Sequence, residues 1–207
     1  MTCSSDPPPY FPWKVPVIKT LAKKKLEARA LAVLTPTGEG FQTKPVKALD
    51  LSFEGIAGDS HAGWTRKSDA RTPWYKRGTD IRNVRQISMV SVEDLAALQE
   101  KLDVPTVAAA WIGANVVVQG IKDFSYLPTG TLLFFEGACV LRVEEQNAPC
   151  RIAGKAVQER YPDRDDIETG FAKIARGLRG VVASVDRPGA IRAGATLTAQ
   201  LPEQWVY

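Results

Sequence analysis

The segment Glu144–Gly154, EEQNAPCRIAG, sets a cysteine directly after a proline, with Asn147 and Arg151 close by in the chain. Pro149 fixes its own backbone angle and cannot donate to a strand ladder, so Cys150 does not belong to the interior of an apolar strand. A guanidinium from Arg151 turned toward the sulfur would favour the thiolate, the form that serves as nucleophile or soft metal ligand. An inert loop or core thiol is the competing reading. The other two cysteines ask for less. Cys3 lies in a polar, Pro-rich stretch, and Cys139 in TLLFFEGACVLRV reads as a small buried hydrophobe. Three cysteines at irregular spacing suggest neither a disulfide framework nor a zinc ribbon.

A second group is the loop Gly55–Gly63, GIAGDSHAG, which sets Asp59 and His61 among small residues. Glycines allow close backbone approach to a ligand, and Asp and His add acceptor and donor groups. A tight turn held by Asx-type hydrogen bonds accounts for the same residues. His61 is the single histidine. One chain therefore cannot supply a two-histidine metal site or separate histidine acid and base. Arg85, near Arg82 and Gln86 in DIRNVRQIS, and Arg179, with Arg176 nearby and both close to Gly177 and Gly180, could fork onto a phosphate or carboxylate. Surface ion pairs are the alternative for each.

The elements that must position these residues are short. RALAVLTP, PVKALDLSF, VRQISMVS and ANVVVQG read as strands bounded by Gly, Pro and Asn. LPTGTLLFFEGACVLRVEE reads as a hairpin with Gly137 near its bend. Ser91 is placed to cap a helix carrying Leu95, Leu98 and Leu102, with Asp94 at the capping-box position. A second helix is expected over 165–178, and two strands around Pro188-Gly189 close the chain. Residues 64–80 show no period and read as an excursion over the surface.

These signals describe a mainly β domain over residues 17–207, preceded by a Pro-rich arm at 1–16, with a closed or nearly closed barrel and a few peripheral helices. No apolar run approaches the ~20 residues that span a bilayer, and the first residues lack a secretory h-region, so the expected place is the cytoplasm, without membrane contact. The net charge of +4 points weakly to anionic partners. Lys23–Lys25 is too short a basic run to suggest nucleic acid, and no glycine pattern for a dinucleotide or a phosphate loop is present.

The ordered motifs FEGIAGDSHAG, RQISMVS, GANVVVQGI, LPTGTLL, APCRI and RGVVASVDRPGAIRAG resemble the MOSC domain family, related to the carboxy-terminal region of molybdenum cofactor sulfurases, and in particular its small stand-alone bacterial type. The resemblance runs from about Arg29 to Leu201. It implies a barrel-like fold that holds the molybdenum cofactor (molybdopterin), independently of pyridoxal phosphate. Cys150 then matches the family's molybdenum ligand and catalytic cysteine, Asn115 the asparagine of the Gly-Glu-Asn motif, and Asp59 and His61 the Gly-Asp-x-His loop. Ala114 and Ala195 depart from the glutamate and aspartate of many relatives. The implied reaction is reduction of N-hydroxylated substrates, such as hydroxylamino-purines or amidoximes, with electrons from a separate reductase, because the cofactor carries the hard step. Arg85 and Arg179 are the candidates for the cofactor's phosphate. The alternatives are a persulfide sulfur carrier for metal–sulfur cluster or cofactor assembly, and a cofactor-binding module without turnover.

Overall fold

The structure, a computed structural model, describes residues 19–38 and 40–206. The Pro-rich stretch 1–16 lies outside the described residues. In chain order the first strands are β1 (Lys19–Leu21), β2 (Lys24–Pro36), β3 (Thr43–Val46), β4 (Ala48–Ser52), β5 (Gly55–Ile56), β6 (Thr65–Lys67), β7 (Asp80–Arg82) and β8 (Ile87–Ser91). Helix α1 (Val92–Leu102) leads to β9 (Val116–Gln119) and the hairpin β10 (Leu132–Phe135) and β11 (Val140–Gln146). Then come helices α2 (Arg151–Gln158) and α3 (Ile167–Ile174), followed by β12 (Val181–Arg187), β13 (Gly189–Arg192), β14 (Thr196–Leu201) and β15 (Gln204–Val206).

Seven strands in the order β14-β10-β11-β12-β8-β9-β2 form a barrel, closed because β14 pairs back onto the first half of β2. A bulge between Ala30 and Ala32 lets the second half of β2 pair with β9 on one side and β3 on the other. Pro45 is tolerated in β3 because that strand lies at the end of the pairing order. Among the described strands, β8 and β9 are the one pair that runs parallel, with α1 in the connection between them. The run Val116–Val118 is apolar at every position for a physical reason. Val116 and Val118 face the barrel core with Ile87, Met89 and Leu141, while Val117 faces outward into a second core with Leu98, Leu102 and Phe171.

Three local outcomes differ from the sequence reading. The PVKALDLSF strand breaks at Lys47 into β3 and β4, and β4 joins a separate sheet with β13 and β5. Ser91 does cap α1, accepting from the Asp94 amide at 3.0 Å. The Asp94 carboxylate is instead taken by Ser125, from the backbone amide at 2.9 Å and the hydroxyl at 2.6 Å. Lastly, α2 was not expected, and α3 is shorter than 165–178. Gly154 sits inside α2 because a Cβ there would stand 2.7 Å from Phe171 Cβ and 2.9 Å from the Glu168 carbonyl of α3.

The Asp94–Ser125 contact extends to the site described below. Ser125 Oγ accepts from the Gly180 amide at 2.8 Å, so helix α1 fixes the backbone beside Arg179. Gly180 itself has φ +78°, and a Cβ there would lie 1.8 Å from the Met89 carbonyl. Asp94 is buried, and that burial raises its pKa against the hydrogen bonds from Ser125 that lower it. Ser125→Ala removes the hydroxyl that joins a buried acid to a buried amide, leaving Asp94 the Ser125 backbone amide and the Gly180 amide without its partner. The expected loss is about 2 kcal/mol, read as a lower urea midpoint at unchanged slope.

Candidate functional site

A cavity of about 410 Å³ opens where the 55–63 loop, the β6–β7 hairpin, the start of β8 and the β11–α2 turn converge, a size ordinary for a small-molecule site. Asp59, His61, Arg85, Asn115, Cys150 and Arg179 all line it. Sequence positions spread over 121 residues are thereby gathered on one surface, from Asp59 to Arg179.

Cys150 is the N-cap residue of α2, in extended conformation (φ −131°, ψ 161°), and its side chain makes no capping hydrogen bond. The thiol is therefore not committed to the helix, while the amide-rich end of α2 begins at the next residue. Arg151 is not its cation. That side chain turns away and pairs with Glu168 at 2.5 Å, with three quarters of its surface exposed. Arg179 takes the place expected of Arg151. Its guanidinium is buried, Nη2 donates to the Ile112 carbonyl, and Nη1 is buried without a partner. Burial pulls its pKa down to about 10, negative charge on Cys150 pushes it up, and Arg85 pushes it down. At neutral pH it remains a cation. A buried guanidinium with an open nitrogen is costly unless an anion completes it.

Arg85 makes the ion pair that was the alternative reading, and its side chain also lies on the cavity wall. It pairs with Glu145 through Nη1 while Nη2 donates to Asn147 Oδ1 at 3.2 Å. Asp59 and His61 likewise make an Asx-type turn and face the cavity. Asp59 Oδ1 accepts from the His61 amide at 2.8 Å and meets His61 Nδ1 at 2.9 Å. With Nδ1 donating to the carboxylate, Nε2 is left as the acceptor nitrogen. Asn115 ties the strands together, its Oδ1 accepting from the Ser88 amide at 2.9 Å.

Residues to which the sequence reading gave no role hold this arrangement in place. Asn83 Nδ2 donates to the carbonyls of His61 (2.7 Å) and Gly63 (3.1 Å). Gln86 Nε2 donates to Phe53 and Gly63 carbonyls, and its Oε1 accepts from the Val185 amide. Asn147 joins Ser88 to Arg85. Uncharged amides clustered just before an apolar strand were the available signal. Residues 64–80 also belong to the site: β6 and β7 pair as a hairpin whose Arg66, Lys67 and Arg71 line the cavity. Cys139, by contrast, is fully buried, and burial pushes its thiol up to about 12, so it is chemically quiet.

Among the described residues no group of three or more His, Cys, Asp or Glu side chains could hold a metal ion. A metal bound here must bring most of its own ligands, with Cys150 able to add one soft donor. The open nitrogen of Arg179 and the cationic walls suit an anionic organic group attached to it.

The family profile of the MOSC domain matches residues 76–198, which include Arg85, Asn115, Cys150 and Arg179. The chain belongs to the MOSC domain family. It is 39% identical over 171 residues to YuaD of Bacillus subtilis, a protein named for metal–sulfur cluster biosynthesis; the match covers 83% of this chain and 89% of YuaD. The crystal structure of Bacillus subtilis YuaD superposes with a TM-score of 0.84 at 37% identity, over 86% of this chain and 98% of that one. YiiM from Escherichia coli shares the fold alone, with a TM-score of 0.54 at 19% identity over 87% of this chain and 70% of YiiM. No helix among the described residues of this MOSC protein is long and apolar enough to cross a membrane.

The Asp59–His61 pair gives a pH test. Burial opposes ionisation of Asp59, but hydrogen bonds and charge from His61, with help from Asn115, hold its pKa below 3.8. Its stabilising contribution is thus fully present above 3.8 and is lost as pH falls through the lowered folded value. Asp59→Asn removes it. Thermal melts of wild type and variant should differ most above the unfolded value of 3.8 and converge as the pH falls below the lowered folded value.

Proposed function

We propose that this MOSC protein handles sulfur for metal–sulfur centres, with Cys150 carrying a transferable sulfur as a persulfide and the cationic cavity holding the acceptor. One observation carries the reading. The uncommitted thiol of Cys150 opens onto a cavity in which Arg179 keeps a charge and an unpartnered nitrogen. A persulfide and a metal–thiolate acceptor are both anions, and a fixed buried cation stabilises each. The name of the Bacillus subtilis relative, metal–sulfur cluster biosynthesis, supports the same direction.

Loading is an exchange. The Cys150 thiolate attacks the outer sulfur of a donor persulfide, a new S–S bond forms, and the donor leaves as a thiolate. Delivery reverses the roles: an acceptor thiolate attacks the outer sulfur, and the electron pair of the broken S–S bond returns to Cys150. Neither step needs an external oxidant or reductant. His61, which lines the same cavity with Nδ1 against Asp59, would be the residue to take the proton of an incoming thiol.

A second reading rests on the open Arg179 nitrogen beside Cys150's cavity; among the described residues no three-ligand metal cluster is present, so the metal would have to arrive with its own ligands. Both fit the molybdenum cofactor, whose dithiolene supplies its own metal ligands and whose phosphate needs a cation. Cys150 would then be the molybdenum ligand, Arg85 and Arg179 would hold the phosphate, and Asp59, His61 and Asn115 would meet the polar edge of the pterin. The bound cofactor would supply oxygen-atom removal from N-hydroxylated substrates, with electrons from a separate reductase.

Anaerobic mass measurement after incubation with a cysteine persulfide donor should show one added sulfur on wild type and Cys139→Ser, and none on Cys150→Ser. Subsequent addition of a thiol acceptor should remove it. Absence of that sulfur from wild type overturns the carrier reading. Stoichiometric molybdenum and pterin in protein from a cofactor-competent host, with reduction of a hydroxylamino-purine lost in Cys150→Ser, would install the second reading instead.

A further inference from the structure

Two pairs of exposed aromatic side chains stand on and against the β6–β7 hairpin, beside the cavity rather than inside it. Phe53 and Trp64 stack with ring centres 5.7 Å apart and planes 26° from parallel, and Trp64 keeps 61% of its surface in solvent. Trp74 and Tyr75, in the connection between β6 and β7, form a second pair at 6.2 Å, with 70% of Trp74 exposed. None of the four lines the cavity, yet Trp64 stands in the chain between Ala62 and Thr65, which do. Tryptophan has a large apolar surface to gain from burial, so two left this open on one hairpin and its connection mark an uncovered face.

The face is held in shape. The Phe53 carbonyl accepts from Gln86 Nε2 at 2.8 Å, and the Trp64 carbonyl from the Asn83 amide at 2.9 Å. Buried Ser68 braces the connection, donating to the Lys76 carbonyl at 2.7 Å and accepting from the Thr79 amide at 3.0 Å. A surface set in advance loses little freedom on association. The charge around it has one sign. Residues 64–82 carry six Lys or Arg against two Asp, and both Asp are taken, Asp80 by Lys67 and Asp69 by Arg71. Lys76, Arg77 and Arg82 are exposed, lie outside the cavity wall, and meet no carboxylate among the described residues.

We propose that this face docks an acidic protein that has an apolar anchor and a reactive cysteine of its own, which it brings to Cys150. The proposal rests on the sulfur reading for what the partner carries, while docking itself needs no thiol. Aromatic anchors within a cationic rim match an apolar side chain within an acidic one. A second copy of this chain would set the same cations against themselves across a two-fold axis. Single-stranded nucleic acid stacks its bases on free ring faces. Here Phe53 and Trp64 cover one another, and Trp74 and Tyr75 are tilted by 54°.

The probe is a fluorescein-labelled synthetic peptide rich in Glu, with a Leu-Phe anchor and one cysteine; its control has Gln for every Glu. Fluorescence anisotropy with the full-length protein should show saturable binding of the Glu peptide, weakened by added salt and about tenfold weaker for the Gln peptide. Trp64→Ser and Trp74→Ser should each weaken binding about tenfold. Lys76→Glu combined with Arg77→Glu should do the same and remove most of the salt dependence. Cys150→Ser should bind as wild type. With the peptide cysteine converted to its persulfide, sulfur should reach Cys150 faster than from free cysteine persulfide. Trp74→Ser should lose that advantage and still load from free cysteine persulfide as wild type does. Loading that fails from both donors while binding persists sinks the sulfur reading and leaves the docking face standing. The proposal is overturned if the Gln peptide binds equally well or if both tryptophan variants bind as wild type. It is also overturned if the face is covered instead by oligo-dT, by phosphatidylglycerol vesicles or by a second copy, seen as binding or self-association that Trp74→Ser abolishes.

Discussion

Closure of the barrel along β2 is the constraint on which the rest of the molecule depends. A 13-residue strand is long enough to serve two neighbours in sequence, β14 with its first half and β9 with its second. The bulge at Ala30–Ala32 supplies the bend between them. Across the seam, Thr198 Oγ1 donates to Glu27 Oε2 at 2.9 Å, joining residues 171 positions apart. Once β2 and β14 are paired, no barrel edge remains open at that seam, and the interior can be filled by Val33, Ile87, Leu133 and Leu197. The loops at one end of this closed frame then have fixed roots, which is what a cavity built largely from loops requires.

The site combines two kinds of support. Backbone carbonyls of the 55–63 loop are held by Asn83 and Gln86, neutral groups that position without adding charge. Charge is supplied separately, from the loop before β12, from the approach to β8 and from the hairpin. Division of labour of this kind holds the walls with neutral groups, while among the cations Arg179 keeps a nitrogen open to a ligand. Arg179 shows the energetic balance most plainly. Burial works against its charge, yet its Nη1 has no partner, so part of the fold's stability is held back for whatever anion arrives.

Much of the fold was legible because its strands are short and punctuated. Gly120 and Asn115 bound β9, Gly137 turns the β10–β11 hairpin, and Ser91 starts α1, each through a local rule that needs no knowledge of partners. Closure was legible only as an expectation, since the β2–β14 register is a long-range fact. Helix α2 was missed because Gly154 and eight residues of length weaken any helical period; its reason lies in Phe171 and Glu168, which the local sequence does not contain. The candidate residues of the site were found by their chemistry, and Asn115 by family resemblance. Asn83 and Gln86 bond distant backbone groups and Asn147 bonds the side chains of Ser88 and Arg85, partners to which no local sequence rule points. Arg151 misled for the converse reason, adjacency in sequence without adjacency in space.

The close seat of Gly154 against α3 has a mechanical meaning for the thiol one turn earlier. A helix packed backbone to backbone, and pinned on its outer face by Arg151 to Glu168, has little freedom to slide or roll. Cys150 is therefore an anvil rather than an arm. A reactive group that swings between stations sits on a long side chain or a mobile tail; the Cys150 sulfur instead stands at a fixed helix start on the cavity wall, so a reaction partner would have to come to it.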